Sequence, residues 1–147
     1  MNAKAFLSQA IWLDRVIQNK LEQKERLETM ANKITTDVSQ EKVSGGSSSQ
    51  SVMENATVKM LDLLDEINAD IDRSIELKME ILFTISQLED VSQQLLLEMR
   101  YINHKSWEDV ASELGFDRSW VLRLHGKALK EIEDIRNTRL KATESDS

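Results

Sequence analysis

The sequence predicts an all-α chain: a long N-terminal antiparallel helical hairpin, coiled-coil-like in its patterning, followed by a small C-terminal helical bundle. Three observations predict it. Helix breakers are scarce, for the 147 residues hold no proline and only four glycines, Gly45, Gly46, Gly115 and Gly126, among abundant Leu, Ile, Glu, Lys and Gln, which favour helix. Apolar residues recur at three- and four-residue steps along two stretches of about 35 residues, the spacing that lays one apolar stripe on a helix. One serine- and glycine-rich run separates the two stretches.

The first helix is expected over residues 1–40, with Phe6, Ala10, Leu13, Ile17, Leu21, Leu27, Ala31, Ile34 and Val38 on its stripe and Lys24 filling one slot. Residues 41–51 read Glu-Lys-Val-Ser-Gly-Gly-Ser-Ser-Ser-Gln-Ser, a composition with nothing to bury, and are expected to form a flexible linker. The second helix is expected over 52–90, striped by Met60, Leu64, Ile67, Ile71, Ile75, Leu82, Ile85 and Leu88. Each arm is roughly 50 Å of helix at about 1.5 Å per residue. Zipping the arms together, within one chain or between two, removes both stripes from water. Polar residues at seam-like positions, Lys24, Ser74 and Lys78, make the register matter. Asp62, Asp65, Glu66, Asp70 and Asp72 are expected on the solvated outer face.

From residue 91 the texture changes. Four of the seven aromatics, Tyr101, Trp107, Phe116 and Trp120, fall within twenty residues. A helix over 91–101 is expected, with Leu95, Leu96 and Met99 facing inward. Ser106 followed by Asp109 forms a capping box for the next helix, which stops at Gly115, the glycine expected just past a helix C-terminus. Asp117 then caps a helix from 118 to about 140, and residues 142–147 are a disordered tail. Helix, three-residue turn with glycine, helix is the helix-turn-helix pattern, here spanning 91–141.

Charge is distributed unevenly along the chain. The net charge is −7. Residues 1–90 hold 16 acids and 10 bases, whereas 91–141 hold 8 acids and 9 bases. Arg118, Arg123, Lys127 and Lys130 fall within thirteen residues that contain no acid. Positive charge concentrated on one helix of an acidic protein suits a polyanion. The outward face of that helix presents Arg118, Ser119, Leu122, Arg123, Gly126 and Lys127. Residues near a recognition helix's N-terminus reach base edges, and later ones meet phosphates. Arg118 and Arg123 are therefore the candidates for base contacts, since arginine forks onto guanine, with Ser119 and Leu122 beside them. Lys127, Lys130, Lys105 and Ser106 are candidates for backbone contacts. Trp120 is expected to pack on a neighbouring helix, and Gly126 to permit a close approach by DNA or by the preceding helix.

The run 97–129 resembles region four of bacterial sigma factors: the Arg100-Tyr101 pair before the turn, Glu108-Asp-Val-Ala111, Leu114-Gly115, Asp117-Arg118 with Val121, and Lys127-Ala-Leu129 stand at that family's spacing. With the long helical part before it, the whole chain is similar to phage-encoded sigma-like regulators of the ArpU/RinA type from Gram-positive bacteria. The resemblance implies transcriptional regulation, most simply a prophage late-gene activator acting by recruitment, with double-stranded DNA and RNA polymerase as partners and a homodimer formed through the N-terminal helices. The family's recognition helix reads Arg-Glu-Arg-Val-Arg-Gln after the turn, whereas this one reads Arg118-Ser-Trp-Val-Leu-Arg123, so a different DNA element is implied. Two rivals share the architecture: a small-terminase-like packaging accessory protein, and a protein-interaction module, such as an anti-repressor or polymerase-binding inhibitor, that does not bind DNA.

Other functions find little support in the residues. No glycine-rich phosphate loop, nucleophile motif or histidine–carboxylate constellation is present, so no enzyme and no catalytic residue is expected. With no cysteine and only His104 and His125, no metal site and no cofactor are expected. The apolar run at 5–13 is too short for a membrane span, which needs roughly 20 residues, and 1–16 lacks a signal-peptide pattern. A cytoplasmic protein that does not meet a membrane follows as the expectation.

Overall fold

The computed structural model describes residues 1–40 and 46–145, with side chains described for 1–33 and 50–145. The regular secondary structure among the described residues is helical: α1 Ala3–Gln40, α2 Gly46–Ile85, α3 Val91–Leu97, a π-helical turn Glu98–Ile102, α4 Trp107–Leu114 and α5 Arg118–Ser145. None of these helices is long and apolar enough to cross a membrane. The chain divides into two compact units, Leu13–Arg73, and Met1–Trp12 with Ser74–Ser147.

In the Leu13–Arg73 unit, the residues withdrawn from water on α1 include Leu13, Ile17, Lys20, Lys24, Leu27 and Ala31, and on α2 Met53, Ala56, Met60, Leu63, Ile67 and Asp70. Both series step strictly by four and three, the heptad spacing of a coiled-coil seam. Lys20 Nζ lies 2.6 Å from Asp70 Oδ2 and 3.7 Å from Glu66 Oε2. These partners stand 50 residues apart in sequence. Two helices of this length joined by five residues bring such positions together only by running in opposite directions, since twenty residues of helix already span about 30 Å. Asp70 is thus a seam residue and not part of a solvated outer face. The Asp70 hydrogen bond, with both carboxylates nearby, raises the Lys20 pKa above its ordinary value.

The α2 stripe differs from the expected one. The heptad steps continue through Ser74, Leu77, Ile81, Thr84 and Leu88, whereas Ile71, Ile75 and Leu82 are exposed. Isoleucines one position out of phase had drawn the stripe onto the wrong flank. The ends of α2 differ too. Residues 46–51, assigned to the linker, are helical, and 41–45 lie outside the described residues. No residue in 47–51 stops a helix already propagating from Val52, and adding a turn costs far less than nucleating one. At the other end α2 stops at Ile85 and not at 90. Ser86 Oγ donates to the Phe83 carbonyl at 2.6 Å, Leu88 turns into the core, and Asp90 caps α3 by accepting from Ser92 N–H at 2.8 Å.

The other unit has the larger core. The first turns of α1 (Ala3, Phe6, Leu7, Ala10) and the last turns of α2 (Ile81, Ile85) enclose it with Leu88, Leu96, Leu97, Tyr101, Val110, Ala111, Val121, Leu124, Ala128 and Ile132. Leu95, expected inside, points outward, and Leu97 takes its place. The helix over 91–101 is also not uniform. Asn103 N–H bonds to Glu98 O at 3.0 Å, five residues back, which widens the last turn into π-helix. Lys105 N–H then reaches Met99 O at 3.0 Å across His104, which adopts φ 59°. This wide turn buries Tyr101 while Arg100 stays at the edge. At the C-terminus, α5 continues to Ser145, so residues 142–145 of the expected tail are helical. Residues 146 and 147 lie outside the described residues.

Candidate nucleic-acid interface

The segment from Ser106 to Lys130 is built on local stops. Ser106 Oγ accepts from Asp109 N–H at 3.2 Å and starts α4. Gly115 ends it in the left-handed conformation, φ 70°, donating to Ser112 O at 3.3 Å, while Phe116 N–H bonds to Ala111 O at 3.0 Å. An added Cβ at Gly115 would meet nothing within 4 Å, so glycine stands there for its backbone conformation and not for space. Asp117 Oδ1 then accepts from Trp120 N–H at 2.7 Å and starts α5. The turn between helices is three residues long, Gly115–Asp117 in position. Val110 and Ala111 of α4 are buried with Val121, Leu124 and Ala128 of α5, and half-buried Leu114 and Phe116 border them.

Behind the turn lies an aromatic and cationic brace. Tyr101 Oη and His125 Nε2 are 2.7 Å apart, and the Trp107 ring meets the His125 ring edge-on at 4.6 Å. Burial, aided by Lys4 and Arg100, lowers the His125 pKa to about 4, so the imidazole is neutral at pH 7. Burial also raises the Tyr101 pKa. With both groups neutral, the His125 tautomer sets which of the two donates. Arg100 lies 4.6 Å from the Trp107 ring centre and donates to Lys105 O at 2.9 Å, which ties the wide turn to the start of α4. His125 is therefore a structural residue of the brace.

On α5 the buried positions Val121, Leu124, Ala128 and Ile132 define an inner face. At about 100° per residue, Ser119, Arg123, Gly126 and Lys130 stand opposite it, with Leu122 on one side and Lys127 on the other. All six are exposed. Arg123, Lys127 and Lys130 have no ion-pair partner among the described residues, although Glu131 and Asp134 stand one turn beyond Lys127 and Lys130. The remaining candidates are engaged within the chain. Arg118 Nη1 pairs with Glu108 Oε1 at 3.1 Å, Lys105 Nζ sits 2.6 Å from both carboxylate oxygens of Glu113, and Ser106 Oγ serves as the α4 cap. The face thus presents three unpaired cations, one apolar side chain, one hydroxyl and one bare backbone position.

Two positions differ from expectation. Trp120 is not drawn into the core. It is 36% exposed, meets Phe116 edge-on at 6.5 Å, and has Arg123 and Lys127 at 5.5 and 5.2 Å from its ring centre. The sequence signal was the spacing itself, an aromatic followed by cations three and seven residues on. Gly126 lies in mid-helix, and a Cβ there would meet nothing within 4 Å. The preceding helix therefore does not require it.

A family model described as Protein of unknown function (DUF1492) matches residues 32–133, more than half of the chain and the whole of this interface. No curated protein and no solved structure matches the chain.

Proposed function

We propose, from the premise that the chain belongs to the DUF1492 family, that it is a sequence-specific DNA-binding transcriptional regulator, with α4 and α5 as the helix-turn-helix. One observation carries this reading: α5 turns an unpaired cationic face outward, immediately after a capped three-residue turn, in a chain whose net charge is −7. Backbone phosphates supply most of the affinity for such a face, and side chains at the helix start supply discrimination. On this reading Arg123, Ser119 and Leu122 meet base edges, and Lys127 and Lys130 meet phosphates. Arg118 reaches DNA by exchanging its Glu108 partner for the duplex. The resemblance to sigma-like phage regulators supports a prophage late-gene activator that works by recruitment, with the α1 and α2 arms holding a second chain or RNA polymerase.

A second reading, a protein-interaction module, draws on the Arg118–Glu108 and Lys105–Glu113 pairs, which withdraw two cations from the interface. Selection of genomic fragments by the purified protein at two salt concentrations separates the two. Under the regulator reading, one or a few fragments survive at about 0.15 M salt, and the Arg118→Ala, Arg123→Ala variant loses them. Failure to retain any fragment at low salt would sink the DNA-binding reading. The genes adjoining a retained fragment would test the late-gene role.

A further inference from the structure

We propose that Trp120 is a positioning residue: its indole holds the Arg123 guanidinium and the Lys127 ammonium in one outward-facing array that receives a polyanion. The inference rests on the DNA-binding reading for the identity of that polyanion, though the array itself can be observed without it.

Trp120, Arg123 and Lys127 stand three and four residues apart, so they rise along one flank of α5 on successive turns. The two cations are four residues apart, a spacing at which like charges repel. Here both lie near a single ring, at 5.5 and 5.2 Å from its centre, where the negative π face offsets that repulsion. Lys127 has a carboxylate within reach one turn on, at Glu131, yet the two form no ion pair and the ammonium lies over the indole. An ion pair would neutralise the charge. An aromatic platform orders it and leaves its donors free.

The ring is itself held. Its backbone N–H is bound by the Asp117 cap at 2.7 Å, and the edge-on ring of Phe116 abuts it. Trp120 remains more than a third exposed and is not part of the buried core. A tryptophan placed there contributes less to burial than to the geometry of what sits on it. Rigid cations lose less side-chain freedom on binding than free ones, so the array favours a ligand whose anionic groups are spaced to match.

Two variants of the full chain test this, Trp120→Leu and Trp120→Phe. Without DNA, the methylene protons of Arg123 and Lys127 in the wild type are expected to show ring-current shifts, which Trp120→Leu abolishes and Trp120→Phe largely keeps. On a fragment selected as above, Trp120→Leu is expected to bind about tenfold more weakly, equivalent to about 1.4 kcal/mol. It should also lose part of its preference over random-sequence DNA. Trp120→Phe is expected to stay within about threefold of wild type, because a smaller aromatic still carries the quadrupole. Thermal midpoints of both variants should remain near wild type. Absent ring-current shifts overturn the proposal whatever DNA does. So does unchanged affinity and preference in Trp120→Leu. Equal weakening of both variants with a common drop in thermal midpoint assigns Trp120 a merely structural role and also overturns it. If the shifts are present but the wild type retains no fragment, the platform stands and the DNA-binding reading alone fails.

Discussion

Gly126 is the residue whose presence the fold explains least. A glycine in mid-helix costs about 0.5–1 kcal/mol relative to alanine, and nothing within 4 Å of its missing Cβ collects a compensating contact. Gly126→Ala should therefore raise the unfolding free energy by about 0.5–1 kcal/mol, measured by urea titration. A destabilised variant would show that the site is crowded after all. The same substitution reads the interface, because Gly126 stands between Arg123 and Lys130 on the outward face. Gain in stability with loss of DNA affinity would place the duplex against this backbone.

His125 makes the pH response specific. Its pKa in the folded chain is about 4, against 6.5 as the ordinary value. Between those limits the unfolded chain binds a proton that the folded chain refuses, so stability rises with pH across that window. The contribution is fully present above about pH 6.5, declines as the pH falls towards about 4, and levels off below. His125→Gln retains a side chain of similar reach for the Tyr101 hydroxyl and should show a flatter profile than wild type between pH 6.5 and 4. Equal slopes for the two proteins would mean that burial of the imidazole is not what sets its charge.

At the level of the helices, the seam joins two of its polar residues as a pair. Lys20 and Asp70 occupy heptad positions, each partly withdrawn from water, at 2.6 Å. Removing one partner leaves the other desolvated, whereas replacing both by apolar groups removes the penalty along with the attraction. Lys20→Met alone and Asp70→Leu alone should each lower the thermal midpoint, and the double variant should exceed both singles. Additive losses in the double variant would exclude the seam pairing. A polar pair at a seam also penalises shifted registers, in which Lys20 would face an apolar residue.

These elements also show what a sequence makes legible. The α4–turn–α5 segment could be placed residue by residue because its boundaries are local: Ser106, Gly115 and Asp117 each act through a neighbour within four residues. The α2 stripe could not be phased, because Ile71, Ile75 and Leu82 mimic a helical period while the true seam accepts Asp70, Ser74 and Thr84. Burial of those polar residues depends on partners that a stripe does not reveal: Asp70 takes Lys20 from α1 at 2.6 Å, whereas the Thr84 hydroxyl turns back to Glu80 O at 2.9 Å. The π-helical turn was equally hidden, since it follows from seating Tyr101 in the core and not from any breaker. Among the interface candidates, residue type and position on α5 were legible, but the ion pairs of Arg118 and Lys105 depend on where α4 places Glu108 and Glu113.

For the whole molecule, charge decides how binding must respond to salt. The chain carries 26 acids against 19 bases, so on the DNA-binding reading attraction to the duplex rests on the unpaired cations of the α5 face. Arg123, Lys127 and Lys130 fill that description, and each phosphate neutralised contributes about −0.9 to the slope of log K against log salt. With Lys127 and Lys130 on phosphates and Arg123 on a base edge, one chain on a duplex should give a slope of about −2, and a homodimer engaging two half-sites about −4. The slope therefore reports how many chains bind, provided that the engaged cations are those on α5. Arg118 supplies the internal check. In wild type its guanidinium must leave Glu108, at 3.1 Å, before it can meet DNA. Glu108→Gln removes the competing charge and should strengthen binding and steepen the slope by about 1 for each chain. An unchanged slope in Glu108→Gln would mean that Arg118 stays on α4 in the complex and neutralises no phosphate.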